Sequence, residues 1–91
     1  MRKIEKAMCI AVNSRNSWKS DNTTVGYAVG LSTVYLHGHR IATIDHIKHN
    51  QTVDADTLAK YPTRTTKSRL NALGFNVTTK KGVTYLDNAP L

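Results

Sequence analysis

The residues of this chain with the most chemical potential stand together in Tyr61-Pro-Thr-Arg-Thr-Thr-Lys-Ser-Arg69, where hydroxyls and three cations follow a proline. Pro62 and Thr63 predict the start of a helix that runs to Leu73 and is closed by Gly74, with Thr63 or Thr65 as its N-cap. The first N–H groups of a helix have no intrahelical acceptor and the dipole is positive there, so the start of a helix favours an anion. Basic residues oppose that dipole, and stability alone does not select them. Arg64, Thr65, Thr66, Lys67 and Arg69 are therefore expected to hold an anionic ligand, with Arg64, Lys67 and Asn71 at i, i+3 and i+7 along one exposed side. The competing reading is simpler: threonines cap the helix and cations keep it soluble.

A second group lies around Gly38-His39. A two-residue loop with Gly first has the pattern of a type II′ turn between strands Leu31–His37 and Arg40–Asp45. That turn pairs His37 with Arg40, Leu36 with Ile41, Tyr35 with Ala42 and Val34 with Thr43, which puts Val34, Leu36 and Ile41 on an inner face. Tyr35, His37 and Arg40 then share the outer face with Thr33 and Ala42, where they are expected to assist by stacking on and clamping a base or nucleotide. Such cross-strand groups also occur on merely solvated sheets.

Other chemistries find less support. His37, His39, Asp45, His46 and His49 are zinc ligands by type, but the hairpin register separates His37 and His46 by roughly 20 Å at about 3.3 Å per residue, against the ~2.3 Å reach of a zinc bond. No metal or cofactor is expected. There is no Gly-x-Ser-x-Gly turn. Cys9 stands among Met8, Ile10, Ala11 and Val12 as a small core thiol. Asp54 and Asp56 sit in a polar connector, where turn-making is the default. A noncatalytic role follows, and a metal-dependent nuclease is the least supported reading.

The elements that must position these groups follow from periodicity. Arg2 to about Asn13 is helical, with Ile4, Ala7, Met8 and Ala11 facing a core. Asn13 to Asn22 reads as a loop in which Trp18 covers the core edge, and Thr23–Val29 alternates as a strand. Ile47 to Lys60 is compatible with a short strand or a turn of helix. Phe75–Lys80 and Val83–Asp87 form a hairpin turning at Lys81-Gly82. The fold class expected is α+β: a small single domain with an N-terminal helix, a three-stranded antiparallel meander, a second helix and a C-terminal β-hairpin.

Ninety-one residues make one domain with a thin core, for which self-association into a homodimer is a route to added stability. The formal charge is +7, and Thr57 to Leu86 holds no acidic residue but contains Lys60, Arg64, Lys67, Arg69, Lys80 and Lys81. A single-sign stretch of this kind suits a phosphate-rich or acidic partner. No run is apolar enough for a signal peptide or a membrane span, so no membrane partner is expected and the location expected is the cytoplasm.

Val34-Tyr-Leu-His-Gly-His-Arg-Ile-Ala42 and Tyr61-Pro-Thr-Arg-Thr-Thr-Lys-Ser-Arg-Leu-Asn-Ala-Leu-Gly74 resemble the recurrent core of a family of small uncharacterised bacteriophage proteins. The opening helix and Asn22-Thr-Thr-Val25 fit the same pattern, so the likeness spans most of the chain. It implies an accessory protein acting in the cytoplasm of an infected bacterial cell, and it brings no catalytic residues. His39, where such relatives often carry Asn, is by that likeness a turn residue. Two partners follow as expectations: nucleic acid or a signalling nucleotide, or alternatively a host or defence protein inhibited by docking.

Overall fold

The computed structural model describes the chain from Met1 to Leu91. Helix α1 spans Lys3–Asn13 and is followed by strands β1 Trp18–Ser20, β2 Thr23–Ala28, β3 Leu31–Leu36, β4 His39–Asp45 and β5 Asn50–Val53. Helices α2 Ala55–Lys60 and α3 Arg64–Ala72 come next, then β6 Val77–Lys80, β7 Val83–Leu86 and β8 Ala89–Pro90. The first five strands form one antiparallel sheet in sequential order, and the last three form a second. The α+β class holds, but the meander has five strands rather than three and a short helix precedes α3.

One line of partners crosses the whole five-stranded sheet: Trp18, Val25, Val34, Ala42 and Val53. Strand alternation sends all of these to one face. There they join Met8, Ala11 and Val12 of α1, Leu58 of α2, Leu70 of α3 and Val77 of β6 in a single core. The next line, Lys19, Thr24, Tyr35 and Arg40, faces away from the core. The additional strands explain where Trp18 goes. It packs half-buried against the core, as a lid would, but from a strand rather than a loop.

The β3–β4 turn differs from the expected one. Its central residues are His37 and Gly38, with φ of 52° and 79°, so both backbones are left-handed as a type I′ turn requires. Histidine tolerates that region better than most residues and glycine adopts it freely. Leu36 therefore pairs with His39 and Tyr35 with Arg40, while Val34 pairs with Ala42 across an irregularity that leaves Ile41 as the extra residue. This β-bulge lets Ile41 and Ala42 both bury, where strict alternation would expose one of them. Ala42, expected on the outer face, belongs to the core.

Residue Thr63 caps α3, its hydroxyl accepting the Thr66 N–H at 3.1 Å, and Gly74 follows the helix with φ of 100°. The β6–β7 turn falls at Lys81-Gly82, as its sequence predicts.

Candidate functional site

Helix α3 lies with Leu70 and Thr66 toward the core, and this orientation divides the residues of its first two turns. Arg64 and Lys67 lie on its outer flank, where with Glu5, Ser68 and Asn71 they line an open groove of about 480 Å³ against α1. Thr65 and Thr66 lie on the other flank and line a cavity of about 300 Å³ beneath the β3–β4 turn, together with His37, His39 and Tyr61. Tyr35 and Arg40 are cross-strand neighbours on the outer sheet face. Arg40 donates from Nε to Asp54 Oδ2 at 3.1 Å, which ties it to the start of α2. The expected ligand set is thus spread over separate places.

Arg69 must be removed from that set. Its side chain is 4% exposed and its Nη1 donates to Glu5 Oε2 at 2.8 Å, while Nε donates to Thr23 Oγ1 at 3.1 Å. Nη2 reaches Asn22 Oδ1 at 3.5 Å. The guanidinium therefore joins α1, α3 and the β1–β2 turn, and each of its nitrogens is engaged by a partner within the chain. Thr66 is also buried, its hydroxyl 2.9 Å from that of Thr63.

Glu5 is the residue the sequence did not single out. A carboxylate in the first turn of an amphipathic helix reads as a solvated, dipole-favoured charge. Instead it is 3% exposed, accepts from Ser68 Oγ at 2.6 Å and from Arg69, and reaches back to the Arg2 N–H. Burial by itself would raise its pKa. The hydrogen bonds from Ser68, Arg69 and Arg2, with the Arg69 charge, outweigh burial and hold it below the usual glutamate value.

This pairing sets the charge of the groove. Glu5 is the one acid lining it, and its charge is matched internally by Arg69. Two ion pairs exist in the molecule, Arg69–Glu5 and Arg40–Asp54, so Arg64 and Lys67 have no acidic partner. Lys67 Nζ donates to Thr79 Oγ1 at 2.6 Å, bringing β6 alongside α3, with exposed Lys80 and Lys81 following at the hairpin turn.

Neither of the other chemistries gathers its residues. The six residues of β3 separate His37 from the far end of the hairpin, where His46 Nε2 lies 2.8 Å from Ser32 Oγ. No three of the His, Cys, Asp and Glu side chains come together as a metal site would need. Cys9 is half-buried with Sγ 3.2 Å from the Ala72 carbonyl oxygen, and burial, then the Glu5 charge, pushes its thiol pKa up.

Residues 1–90 match the family of Kyanoviridae Gp96 proteins. The chain belongs to that phage protein family. Membership agrees with the expected likeness to a family of small phage proteins. No curated protein and no solved structure matches this member of the family. No helix of the molecule is long and apolar enough to cross a membrane.

Proposed function

We propose that this phage protein is a noncatalytic binding protein whose partner bears phosphates, with nucleic acid the leading candidate, acting in the cytoplasm of the infected cell. The polyanion docks on the outer flank of α3, where Arg64 and Lys67 make the contacts, while the Asn71 amide, bonded at both ends to the Val77 backbone at 2.9 and 2.8 Å, ties the helix to β6. Carrying this reading is the observation that both cations stand in a groove whose one carboxylate is already neutralised from within. An arginine and a lysine held together without acidic partners cost repulsion, which a phosphate backbone relieves. Lys80 and Lys81 continue the charge along the neighbouring hairpin.

Purified protein is titrated with labelled duplex DNA, single-stranded DNA and RNA at two salt concentrations, beside an Arg64→Ala/Lys67→Ala variant. Binding is expected to weaken steeply with salt and to be lost in the variant, because each cation neutralising a phosphate releases a counterion. No binding to any of the three nucleic acids sinks the reading. Inhibition of a host or defence protein by docking is the second reading, and its supporting observation is at the other end of the sheet. Val29 at the β2–β3 turn is 90% exposed with φ of 47°, and the 71% exposed Ile47 lies against its neighbour Gly30. A β-branched residue is costly in that conformation and gains nothing there from burial, as at a protein-contacting tip.

A further inference from the structure

The cavity on the inner flank of α3 is a separate place with different chemistry. Its floor is Leu36 and Ile41, and one wall is the ring pair of His39 and Tyr61, stacked with centroids 4.5 Å apart and planes tilted by 26°. Thr65 and His37 complete it, and no carboxylate lines it. The Thr63 and Thr66 hydroxyls satisfy each other, but no hydrogen bond within the chain engages the Thr65 hydroxyl or the imidazole nitrogens of His37 and His39. At about 300 Å³ it falls at the small end of ligand sites, with an apolar base and a few converging polar groups.

We infer that this cavity binds one nucleotide unit, with the base against the His39–Tyr61 wall and the apolar floor and the phosphate at the mouth beside Thr65. The two rings already cover one face of each other, so a planar ring joins the stack on an outer face, over the apolar floor, since every base presents a π-face. Polar groups within reach of the same space select a ring with hydrogen-bonding edges over a plain hydrocarbon, which would leave those groups unpaired. An acid-free lining admits an anion. The N–H of Thr65, which lines the cavity, has no acceptor within the chain, so it supplements the cavity walls as a donor to the phosphate. The unit is supplied either as a free mononucleotide or as one residue of a single strand. The inference does not depend on polyanion docking at Arg64 and Lys67, which face the opposite flank.

The test is an NMR titration of the full chain with nucleoside monophosphates, the parent nucleosides, inorganic phosphate, a short single-stranded oligonucleotide and duplex DNA. Saturable shifts at millimolar or lower nucleotide are expected in Leu36–Ile41 and Thr57–Thr66. Tyr61→Ala should weaken binding on the order of tenfold, the usual effect of deleting one stacking partner. Tyr61 is 41% exposed, so the variant should fold, which thermal melting checks, and His39→Ala provides a second probe. Cavity shifts from the mononucleotide identify a free nucleotide as a sufficient ligand, and shifts from the oligonucleotide alone identify a strand. Inorganic phosphate binding as tightly as the nucleotide, or affinities unchanged in both variants, overturns the inference. Salt-sensitive duplex binding lost in Arg64→Ala/Lys67→Ala without any cavity shift leaves polyanion docking standing and removes the cavity site. Cavity shifts from the mononucleotide, with no duplex DNA, single-stranded DNA or RNA binding that is lost in Arg64→Ala/Lys67→Ala, do the reverse.

Discussion

Deleting the Arg69 guanidinium leaves the Glu5 carboxylate buried with only the Ser68 hydroxyl and the Arg2 N–H to solvate it. An uncompensated buried charge of this kind costs about 3–5 kcal/mol, a large part of the stability of any small domain. Arg69→Ala is therefore expected to lower the urea midpoint sharply. Glu5→Gln/Arg69→Met should lower it much less, since no orphaned charge remains. Equal losses in the two proteins would mean that packing, not charge, carries the effect. Residue type alone could not reveal the pair: Arg69 shares its cationic stretch with Arg64 and Lys67, and its partner is 64 positions away. Only the rotation of α3 about its own axis separates a buried arginine from a ligand-facing one. The same rotation puts Arg64 and Thr65, adjacent in sequence, on opposite flanks.

Among the elements, α3 was the most legible, because a cap, an apolar stripe and a terminating glycine all agree locally. Its Thr63 cap holds the Thr66 N–H and hydroxyl together. Thr63→Ala should cost about 0.5–2 kcal/mol and speed amide exchange in the first turn of α3, as urea unfolding and hydrogen exchange would show. An unchanged exchange rate at Thr66 would mean that the cap does not set the helix start. The β3–β4 hairpin was legible as an element but not in register. Gly38 serves equally as the first residue of a II′ turn or the second of a I′ turn, and the neighbouring residues do not choose. The choice falls to the core, which gains both Ile41 and Ala42 when the bulge forms. Strands β1 and β5 are short and polar, and the edge positions they occupy exist only once the central strands have paired.

For the whole molecule, matching one acid with one base inside leaves the formal charge of +7 on the outer residues, so the field is intact for a partner. It also sets the response to acid. Glu5, Asp45 and Asp54 all have folded pKa values below their ordinary ones of 4.5 for the glutamate and 3.8 for the aspartates. Asp45 is held down first by the Lys48 N–H, and Asp54 by the Thr57 N–H. Depressed carboxylates stabilise the fold at pH values above their unfolded pKa and lose that contribution as pH falls through the folded value. Stability from these groups is thus expected to be complete above about pH 4.5 to 5 and to fall below it, while protonation adds to the self-repulsion of a cationic protein. Thermal melting between pH 7 and pH 3 checks this. A Tm that stays level through the acid range would show that the three carboxylates contribute nothing.

The sequence by itself determined the α+β class, the extents of α1 and α3, the existence of both hairpins and the single-sign basic stretch. These depend on local periodicity, turn residues and composition, which are readable from near neighbours. The five-stranded order, the bulge, the Glu5–Arg69 pair and the division of the α3 residues between a groove and a cavity were decided only by the tertiary structure. Each depends on contacts between residues distant in the chain, and the burial that separates an internal cation from a binding one exists only after those contacts form.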